Sequence, residues 1–108
     1  MKLYIGGTGQ GQLELASAEN PNAELFPDFH LYIRSLMNNG EDISTTLQAF
    51  CRNHPDAVIV SDEIGCGLVP MDPREREWRQ VTGRALCMIA GESDLVTRVI
   101  CGIGQRIK

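Results

Sequence analysis

The sequence predicts an α/β fold in which helices wrap a small, mostly parallel sheet. A short apolar run, Lys2 to Ile5, enters a glycine-rich stretch and is followed by a helical pattern. Further along, Ala57-Val58-Ile59-Val60 is a continuous run rich in β-branched residues, typical of a strand covered on both faces. The predicted elements follow the order strand, helix, helix, helix, strand, helix, strand. This order favours a parallel sheet with crossover helices.

The first half of the chain contains most of the predicted helices. Leu13 to Ala18 predicts one or two turns of helix, and Leu25-Phe26 is at most a strand fragment. An amphipathic helix follows, with Asp28 as its candidate N-cap and Asn38-Asn39-Gly40 as its end. Its apolar stripe is Phe29, Tyr32, Ile33, Leu36 and Met37. The next helix begins at Ile43, and its apolar face comprises Ile43, Thr46, Leu47, Phe50 and Cys51.

The second half is predicted to contain a loop, one long helix and a final strand. Ser61 to Asp72 is expected to be a loop rich in glycine and acid. Asp72-Pro73-Arg74-Glu75 is a strong helix start, because it combines a cap, a first-turn proline and an acid three residues after the cap. The buried face of this helix is predicted to be Trp78, Val81, Ala85, Met88 and Ile89. Val96 to Cys101 is the last strand, and Gly102-Ile103-Gly104 turns the chain toward a basic tail.

Length and composition limit the functions open to the chain. Its 108 residues fit a single domain, 1–108, with one modest core. A net charge of −4 and a sequence pI near 5.0 argue against a nucleic-acid or membrane-surface partner, since either needs a basic surface. No apolar run approaches a membrane span, and the N-terminus shows no secretion signal. We therefore expect a cytoplasmic protein.

The four cysteines indicate reduced thiols. They are widely spaced and contain no Cys-x-x-Cys pair, so neither a zinc site nor a disulfide framework is predicted. Cys51, Cys87 and Cys101 lie among apolar residues, where we expect them to act as small hydrophobic side chains.

A glycine-rich loop between the first strand and the first helix is the main candidate site. Its spacing matches G-x-x-x-x-G-K-[ST], a loop that binds phosphate with backbone N–H groups, a lysine and a metal-binding hydroxyl. Here Gln12 occupies the lysine position and Leu13 the hydroxyl position. The alternative is a glycine-rich turn that only joins strand to helix. The candidate phosphate-binding residues are Gly6, Gly7, Thr8, Gly9, Gln10, Gly11, Gln12 and Leu13.

A second candidate site follows the β-branched strand. Ser61, Asp62 and Glu63 lie where that strand ends, and the carboxyl ends of parallel strands line the crevice in which α/β sheets bind ligands. Asp62 could reach the water shell of a Mg²⁺ ion. Glu63 could orient a water or hydroxyl and is the candidate catalytic residue.

Two arginines of the following helix are candidate phosphate ligands. Arg76 and Arg79 lie near one face of that helix and could contact phosphates if this face is turned toward the crevice. If the face is turned away, they are expected to pair with Glu75 or Glu77.

Much of the second half resembles a known family. Its signature, (T/S)-(N/D)-E-(V/I)-G-x-G-(I/L)-V-P, matches the run Ser61 to Pro70. The match continues through Arg76, Trp78, Arg79, Gly83 and Arg84 and resumes from Gly102 to Lys108. These residues resemble the adenosylcobinamide kinase / adenosylcobinamide-phosphate guanylyltransferase family of cobalamin (vitamin B12) biosynthesis. The resemblance is strong over residues 56–108, moderate over 1–18 and faint between them.

The resemblance implies a fold and a set of ligands. The fold is a P-loop (RecA-like) three-layer domain, here shortened relative to the family. The implied ligands are a purine nucleotide, GTP or ATP, and a corrinoid, and known members of the family assemble as trimers. The family phosphorylates the aminopropanol hydroxyl of adenosylcobinamide and then transfers GMP to that phosphate through a guanylylated histidine.

The chain departs from the family at its histidine. The segment that bears this residue is missing between Ala18 and Leu25. His30 and His54 do not lie in a version of the family's motif, and we interpret both as structural or solvated. This departure counts against guanylyl transfer.

Other departures count against kinase activity and a Mg²⁺ requirement. The family's metal-side acid falls at Pro27, with Asp28 one residue late, and its paired Asn-Gln is Leu86-Cys87 here. The sequence thus predicts a cobalamin-biosynthesis relative that binds nucleotide or phosphate at a degenerate loop. The alternative is a non-catalytic binding or subunit protein that keeps the fold for oligomer or partner contact. A loop closed by Gln12 or Leu13 would favour that alternative.

Overall fold

Strands and helices alternate along residues 1–64 and 71–108, the part of the chain that this computed structural model describes. The elements predicted from the sequence are found within two residues of their expected positions. In chain order they are β1 (Lys2–Gly6), α1 (Gln12–Glu19), β2 (Leu25–Phe26), α2 (Phe29–Asn38), α3 (Ile43–Asn53), β3 (Val58–Asp62), α4 (Pro73–Glu92), β4 (Leu95–Ile100) and β5 (Ile103–Arg106).

The strands form one sheet in the order β2-β3-β1-β4-β5. The pairings of β2 with β3, β3 with β1 and β1 with β4 are parallel, which confirms the predicted α/β class. Gly6, the last residue of β1, lies opposite both Asp62 and Val99. The glycine loop therefore starts at the carboxyl edge of the three central strands.

Strand β5 was not predicted. The sequence indicated only a turn at residues 102–104, but Ile103–Arg106 pairs antiparallel with β4. Ile100 lies opposite Ile103, so Cys101 and Gly102 form a two-residue turn, with φ angles of 51° and 75°. Two positive φ angles are what a tight hairpin requires, and Asn-Gly rather than Cys-Gly is the usual signal for it.

Helices cover both faces of the sheet. Helix α1 packs Ala16 against Tyr4, Val58 and Val60 on one face. Helices α2, α3 and α4 pack on the other face, against alternate residues of the same strands. The buried members of that larger core include Leu3, Phe29, Ile33, Leu36, Leu47, Ile59, Ala85, Ile89 and Val96. This three-layer arrangement is compatible with a small P-loop-like domain.

The helix starts agree with the sequence at one predicted cap and disagree at the other. Asp72 caps α4 as predicted, since its carboxylate accepts a hydrogen bond from the Arg74 N–H at 2.9 Å. Asp28 precedes α2, but its φ is 55° and its side chain makes no capping hydrogen bond. A capping residue normally has an extended backbone, so the left-handed backbone of Asp28 explains why the predicted cap is wrong.

Burial along α4 and at the cysteines also differs from expectation. The fully buried residues of α4 are Thr82, Ala85 and Ile89, whereas Trp78, Val81 and Met88 are only half-buried. Cys87 and Cys101 are exposed rather than packed in apolar surroundings. Cys51 is half-buried, and burial, with a contribution from the nearby Glu92 carboxylate, raises the pKa of its thiol. Within the described residues, no helix is long and apolar enough to cross a bilayer.

Candidate functional site

Gln12 fills the interior of the glycine loop. It is the first residue of α1, and its side chain turns back toward β1 with 5% of the residue exposed. Its Nε2 donates to the carbonyl oxygens of Gly6 at 3.0 Å and Gly7 at 2.9 Å, and to Oδ1 of Asp62 at 2.9 Å. A neutral amide with two hydrogens therefore serves three acceptors at the position where a phosphate-binding loop carries lysine.

Asp62 ties β3 to the loop. Ser61 and Asp62 were predicted to begin a loop, but β3 continues through both because they pair with Ile5 and Gly6 of β1. Oδ2 of Asp62 accepts a hydrogen bond from the Thr8 hydroxyl at 3.2 Å. The carboxylate thus holds both Thr8 and Gln12. Ser61 is buried, and its hydroxyl donates to the Asp62 carbonyl at 3.2 Å.

His30 supports Asp62 from α2. Its Nδ1 accepts a hydrogen bond from the Asp62 backbone N–H at 3.2 Å, and its Nε2 lies 3.6 Å from Asp62 Oδ2. Because Nδ1 is an acceptor, a neutral His30 carries its hydrogen on Nε2, facing the carboxylate. The His30 carbonyl accepts a hydrogen bond from Trp78 Nε1 at 2.9 Å. His30 is 6% exposed, in agreement with the structural interpretation.

The loop backbone requires glycine at several positions. A Cβ on Gly6 would lie 2.5 Å from the Val99 carbonyl oxygen, so no larger residue fits there. Gly9 and Gly11 have φ angles of 73° and 90°, which favour glycine. The loop conformation therefore depends on glycine at these three positions as well as on the hydrogen bonds of the Gln12 side chain.

The turn between β4 and β5 contacts the loop directly. The Gly102 N–H donates to the Gln10 carbonyl at 2.7 Å, and the Cys101 N–H donates to Gln10 Oε1 at 2.8 Å. Gly11 packs close to the same turn, since a Cβ on it would meet the Gly102 Cα at 3.3 Å. Sequence reasoning missed this contact because it depends on β5.

A cleft of about 200 Å³ opens beside the loop. Three of its lining residues are acids, namely Glu14, Asp28 and Asp62, and its described lining contains no lysine or arginine. Within the described residues, the backbone N–H groups of Thr8, Gly9 and Gly11 donate no hydrogen bond. The cleft therefore offers backbone donors to an anion but no compensating cation. The described lining is Gly9, Gly11, Gln12, Leu13, Glu14, Pro27, Asp28, Val60, Ser61 and Asp62.

The loop lacks the hydroxyl ligand that a phosphate-binding loop gives to a Mg²⁺ ion, although the Asp62 carboxylate lines the cleft. Leu13 provides hydrocarbon where the hydroxyl ligand is expected, and Thr8 already donates to Asp62. Magnesium requires oxygen ligands in a near-octahedral arrangement. Among the described residues, no group of three His, Cys, Asp or Glu side chains is placed to hold a metal ion.

Glu63 lies apart from the glycine cleft. Its N–H donates to the Gly6 carbonyl at 2.7 Å, but its side chain lines a separate, largely apolar pocket of about 360 Å³ together with Thr82 of α4. Oε2 of Glu63 lies 3.5 Å from Nε of Arg98, a partner that sequence reasoning did not identify. Among the described residues, the buried Thr82 hydroxyl has no hydrogen-bond partner. The catalytic role assigned to Glu63 stays a prediction.

The two candidate arginines lie outside the glycine cleft. Arg76 is exposed and Arg79 is half-buried on the first turns of α4, and neither lines the cleft. Glu75 pairs with Arg34 of α2 at 2.5 Å, and the Arg34 guanidinium lies over the Trp78 ring. The phosphate-binding role of the arginines stays a prediction. Residues 65–70 of the family signature lie outside the described residues.

Comparisons with known proteins agree with the family resemblance. The sequence profile of the CobU family, cobinamide kinase / cobinamide phosphate guanyltransferase, matches residues 13–107. The bifunctional adenosylcobalamin biosynthesis protein CobU of Salmonella typhimurium is 36% identical over 69 residues, which are 63% of this chain and 38% of that protein. The protein of the same name from Escherichia coli K12 is 36% identical over 64 residues, 58% of this chain and 35% of that protein.

These matches connect the chain with cobalamin biosynthesis and confirm the family that the signature indicated. The chain spans little more than a third of the length of the curated relatives it matches.

Proposed function

Because the chain belongs to the cobinamide kinase / cobinamide phosphate guanyltransferase family, we propose that it is a nucleotide-binding protein of cobalamin biosynthesis without group-transfer activity. Its ligand is a purine nucleotide, GTP or ATP, or another phosphate compound held at the glycine loop. The observation that supports binding is that, among the described residues, the backbone N–H groups of Thr8, Gly9 and Gly11 donate no hydrogen bond. The neutral amide of Gln12, which donates to Gly6, Gly7 and Asp62 where a lysine is expected, supports the absence of group transfer.

The loop keeps the part of a phosphate site that the backbone supplies. Gly9 and Gly11 adopt positive φ angles at the start of α1. A helix N-terminus with free N–H groups favours an anion because its dipole and its donors both point toward the ligand. Gln12 donates to carbonyl groups and a carboxylate, so it leaves these backbone donors available.

The side chains around the loop weaken such binding. Glu14, Asp28 and Asp62 repel a polyphosphate, and the described lining provides no cation to offset them. The missing hydroxyl ligand disfavours the Mg²⁺ ion that would otherwise screen the phosphate charge. We therefore assign the loop weak and largely metal-independent binding, with neither phosphoryl nor guanylyl transfer.

A second candidate function is that of a non-catalytic subunit. The position of Gln12 inside the loop favours it, and so do Ile103 of β5 and the following Ile107, which are 73% and 57% exposed. In this function the fold serves oligomer or partner contact. The trimer and the corrinoid ligand remain expectations based on the resemblance.

Calorimetric titration with GTP, ATP and GDP, with and without Mg²⁺, tests the binding proposal. We expect measurable binding of at least one nucleotide, and a change on adding Mg²⁺ of less than about twofold, roughly 0.4 kcal/mol. Binding that requires Mg²⁺, or no binding of any of the three nucleotides, would contradict the proposal.

A pair of variants at Gly9 makes the test specific to the loop. Gly9→Asp places a negative charge in the cleft, and Gly9→Asn places a neutral group of the same shape there. A Cβ on Gly9 would meet no atom of the described residues within 4 Å, and asparagine and aspartate tolerate its φ of 73° better than most residues. We expect Gly9→Asp to weaken nucleotide binding severalfold more than Gly9→Asn. Equal affinities would place the nucleotide elsewhere.

A further inference from the structure

The turn between β4 and β5 has two backbone N–H groups that its own hairpin cannot pair. Ile100 lies opposite Ile103, and in a hairpin with a two-residue turn these flanking residues exchange hydrogen bonds with each other. The N–H groups of Cys101 and Gly102, the two central residues, have no acceptor within the hairpin. Their acceptors must come from water or from another part of the chain.

Gln10 of the glycine loop provides both acceptors. Its carbonyl oxygen accepts from the Gly102 N–H at 2.7 Å, and its side-chain Oε1 accepts from the Cys101 N–H at 2.8 Å. Because a backbone N–H can only donate, the side-chain atom that faces Cys101 is the amide oxygen. One residue of the loop therefore holds both free donors of the turn.

The direction of the Gln10 carbonyl also sets the direction of the next N–H group. The described residues contain no cis peptide bond, and in a trans peptide the C=O of one residue and the N–H of the next point in opposite directions. Since the Gln10 carbonyl points at the turn, the Gly11 N–H points away from it. Gly11 lines the glycine cleft and immediately precedes α1, so this N–H belongs to the backbone donors assigned to an anion above.

Gln10 itself stands behind the loop. It is not among the described residues that line the cleft, although the loop spacing made it a candidate phosphate ligand. Its side chain passes behind Gly7, where an added Cβ would lie 3.7 Å from Gln10 Cγ. An effect of Gln10 on a bound anion must therefore pass through the backbone of the loop.

The loop has one anchor on each side. On the β3 side, the Asp62 carboxylate accepts hydrogen bonds from the side chains of Thr8 and Gln12. On the β4 side, the anchor is the pair of hydrogen bonds between Gln10 and the turn. Only this second anchor acts directly on the peptide that carries the Gly11 N–H.

We propose that Gln10 is a positioning residue that couples nucleotide binding in the cleft to the β4–β5 turn. This inference rests on the proposed function, because it concerns the regulation of the same loop. An anion that accepts from the Gly11 N–H polarises that peptide, which makes the Gln10 carbonyl a stronger acceptor for Gly102. Coupling between two sites is reciprocal, so a change that weakens the turn contact weakens nucleotide binding by the same factor.

Amide hydrogen exchange measured by NMR tests the coupling in the unaltered protein. We expect saturation with GTP, ATP or GDP to shift the Gly11 amide signal and to slow exchange at Cys101 and Gly102 severalfold. A purely structural contact would leave exchange at the turn independent of the nucleotide. The Gly40 amide, which donates to the Met37 carbonyl in the turn after α2, is the internal control and should not respond.

A matched pair of variants tests Gln10 directly. Gln10→Met keeps the length of the side chain but removes the acceptor for the Cys101 N–H. We expect it to raise the nucleotide dissociation constant at least about fivefold, at the low end of the range for coupled sites, and to abolish the protection of Cys101 by nucleotide. Gln48→Met makes the same replacement at an exposed position of α3 and should change neither quantity.

The outcomes distinguish this inference from the proposed function. An unaltered protein that binds none of the three nucleotides would overturn both. A protein that binds nucleotide without slower exchange at the turn would overturn the inference alone, and so would a Gln10→Met variant with unchanged affinity. The exchange measurement needs no variant, so it decides the question even if Gln10→Met does not fold.

Discussion

Gln12 sets the chemistry of the glycine loop at the scale of single residues. A lysine would bring a positive charge to this position, whereas the amide provides only two hydrogens. Those hydrogens are shared among three acceptors, one of which is the Asp62 carboxylate. Gly6 and Gly7 thereby gain hydrogen-bond partners without a ligand. These hydrogen bonds use no backbone N–H of the loop, so the change from lysine removes a positive charge and leaves the backbone donors in place.

Restoring the missing side chains should restore a metal-dependent site. In Gln12→Lys combined with Leu13→Ser, we expect nucleotide binding to tighten at least about tenfold, roughly 1.4 kcal/mol, and to depend on Mg²⁺. The reason is that the lysine supplies charge and the serine a metal ligand. Gln12→Lys with Leu13→Ala is the control without the hydroxyl. If titration finds the affinity of the double change equal to that of the parent, the loop is not a phosphate site.

Glu63 can be tested separately because its side chain faces a different pocket. Its ion pair with Arg98 is partly exposed and 3.5 Å long, so Glu63→Gln should change the free energy of unfolding by less than about 1 kcal/mol. If Glu63 has the catalytic role predicted from the sequence, the same change also alters the response to GTP, because the Glu63 N–H donates to Gly6 at the start of the glycine loop although its side chain lines a separate pocket.

Thermal melts with and without GTP and Mg²⁺ check the Glu63 prediction. Arg98→Gln is the control, because it breaks the same ion pair and leaves the carboxylate in place. A lower melting temperature for Glu63→Gln, together with an unchanged ligand response, would mean that Glu63 is structural.

The site residues were predictable from sequence only in part. The loop spacing identified Gln12 and Leu13, and the strand end identified Asp62. His30 and Arg98 were missed or given no site role, and Gln10 was a candidate phosphate ligand whose contact with the β4–β5 turn was not predicted. Each of these contacts joins residues that are distant in sequence. Such contacts depend on the order of strands in the sheet, which local patterns do not specify.

At the scale of elements, the β4–β5 turn combines strain with a contact to the loop. Cys101 has a φ of 51°. This left-handed backbone conformation is unfavourable in free energy for a residue that has a side chain. Asparagine tolerates this conformation better. The Cys101 N–H also donates to Gln10, so the conformation of the turn affects the glycine loop.

Cys101→Asn should therefore stabilise the protein. We expect the free energy of unfolding to rise by about 0.5–1 kcal/mol, because Asn-Gly is the preferred pair for a tight hairpin turn. Denaturant unfolding measures this difference. Cys87→Asn is the matched control, since it replaces another exposed cysteine, in a helix, and should give no gain. A destabilised Cys101→Asn would mean that the thiol has a packing role.

The elements themselves were largely predictable. Apolar runs and helix-spaced stripes located β1, β3, β4 and the helices, because burial of one face imposes those patterns. Strand β5 escaped prediction because its turn lacks the usual asparagine and its residues are all exposed. The capping role of Asp28 was wrong because backbone conformation at a single residue is not encoded by residue type alone.

At the scale of the whole molecule, the positions of the two histidines bear on the proposal that the protein does not transfer guanylyl groups. A nucleophilic histidine needs an accessible ring nitrogen beside the nucleotide. His30 is buried, its Nδ1 accepts the Asp62 N–H, and its Nε2 faces the Asp62 carboxylate. His54 ends α3 and packs its ring against Phe50 and Phe26 at centroid distances of 4.7 and 5.1 Å. Neither histidine lines the glycine cleft.

Incubation with GTP and Mg²⁺ should therefore leave the protein without a covalent GMP adduct. Intact-mass spectrometry near neutral pH checks this, because a phosphoramidate would survive there while acid would destroy it. His30→Asn and His54→Asn serve as controls, and both should give the same result as the parent protein. A mass increase of one guanylyl group would contradict the prediction, and its loss in one of the two variants would identify the nucleophile. An unmodified protein that still binds GTP in the titration is the combination that the Gln12 geometry favours.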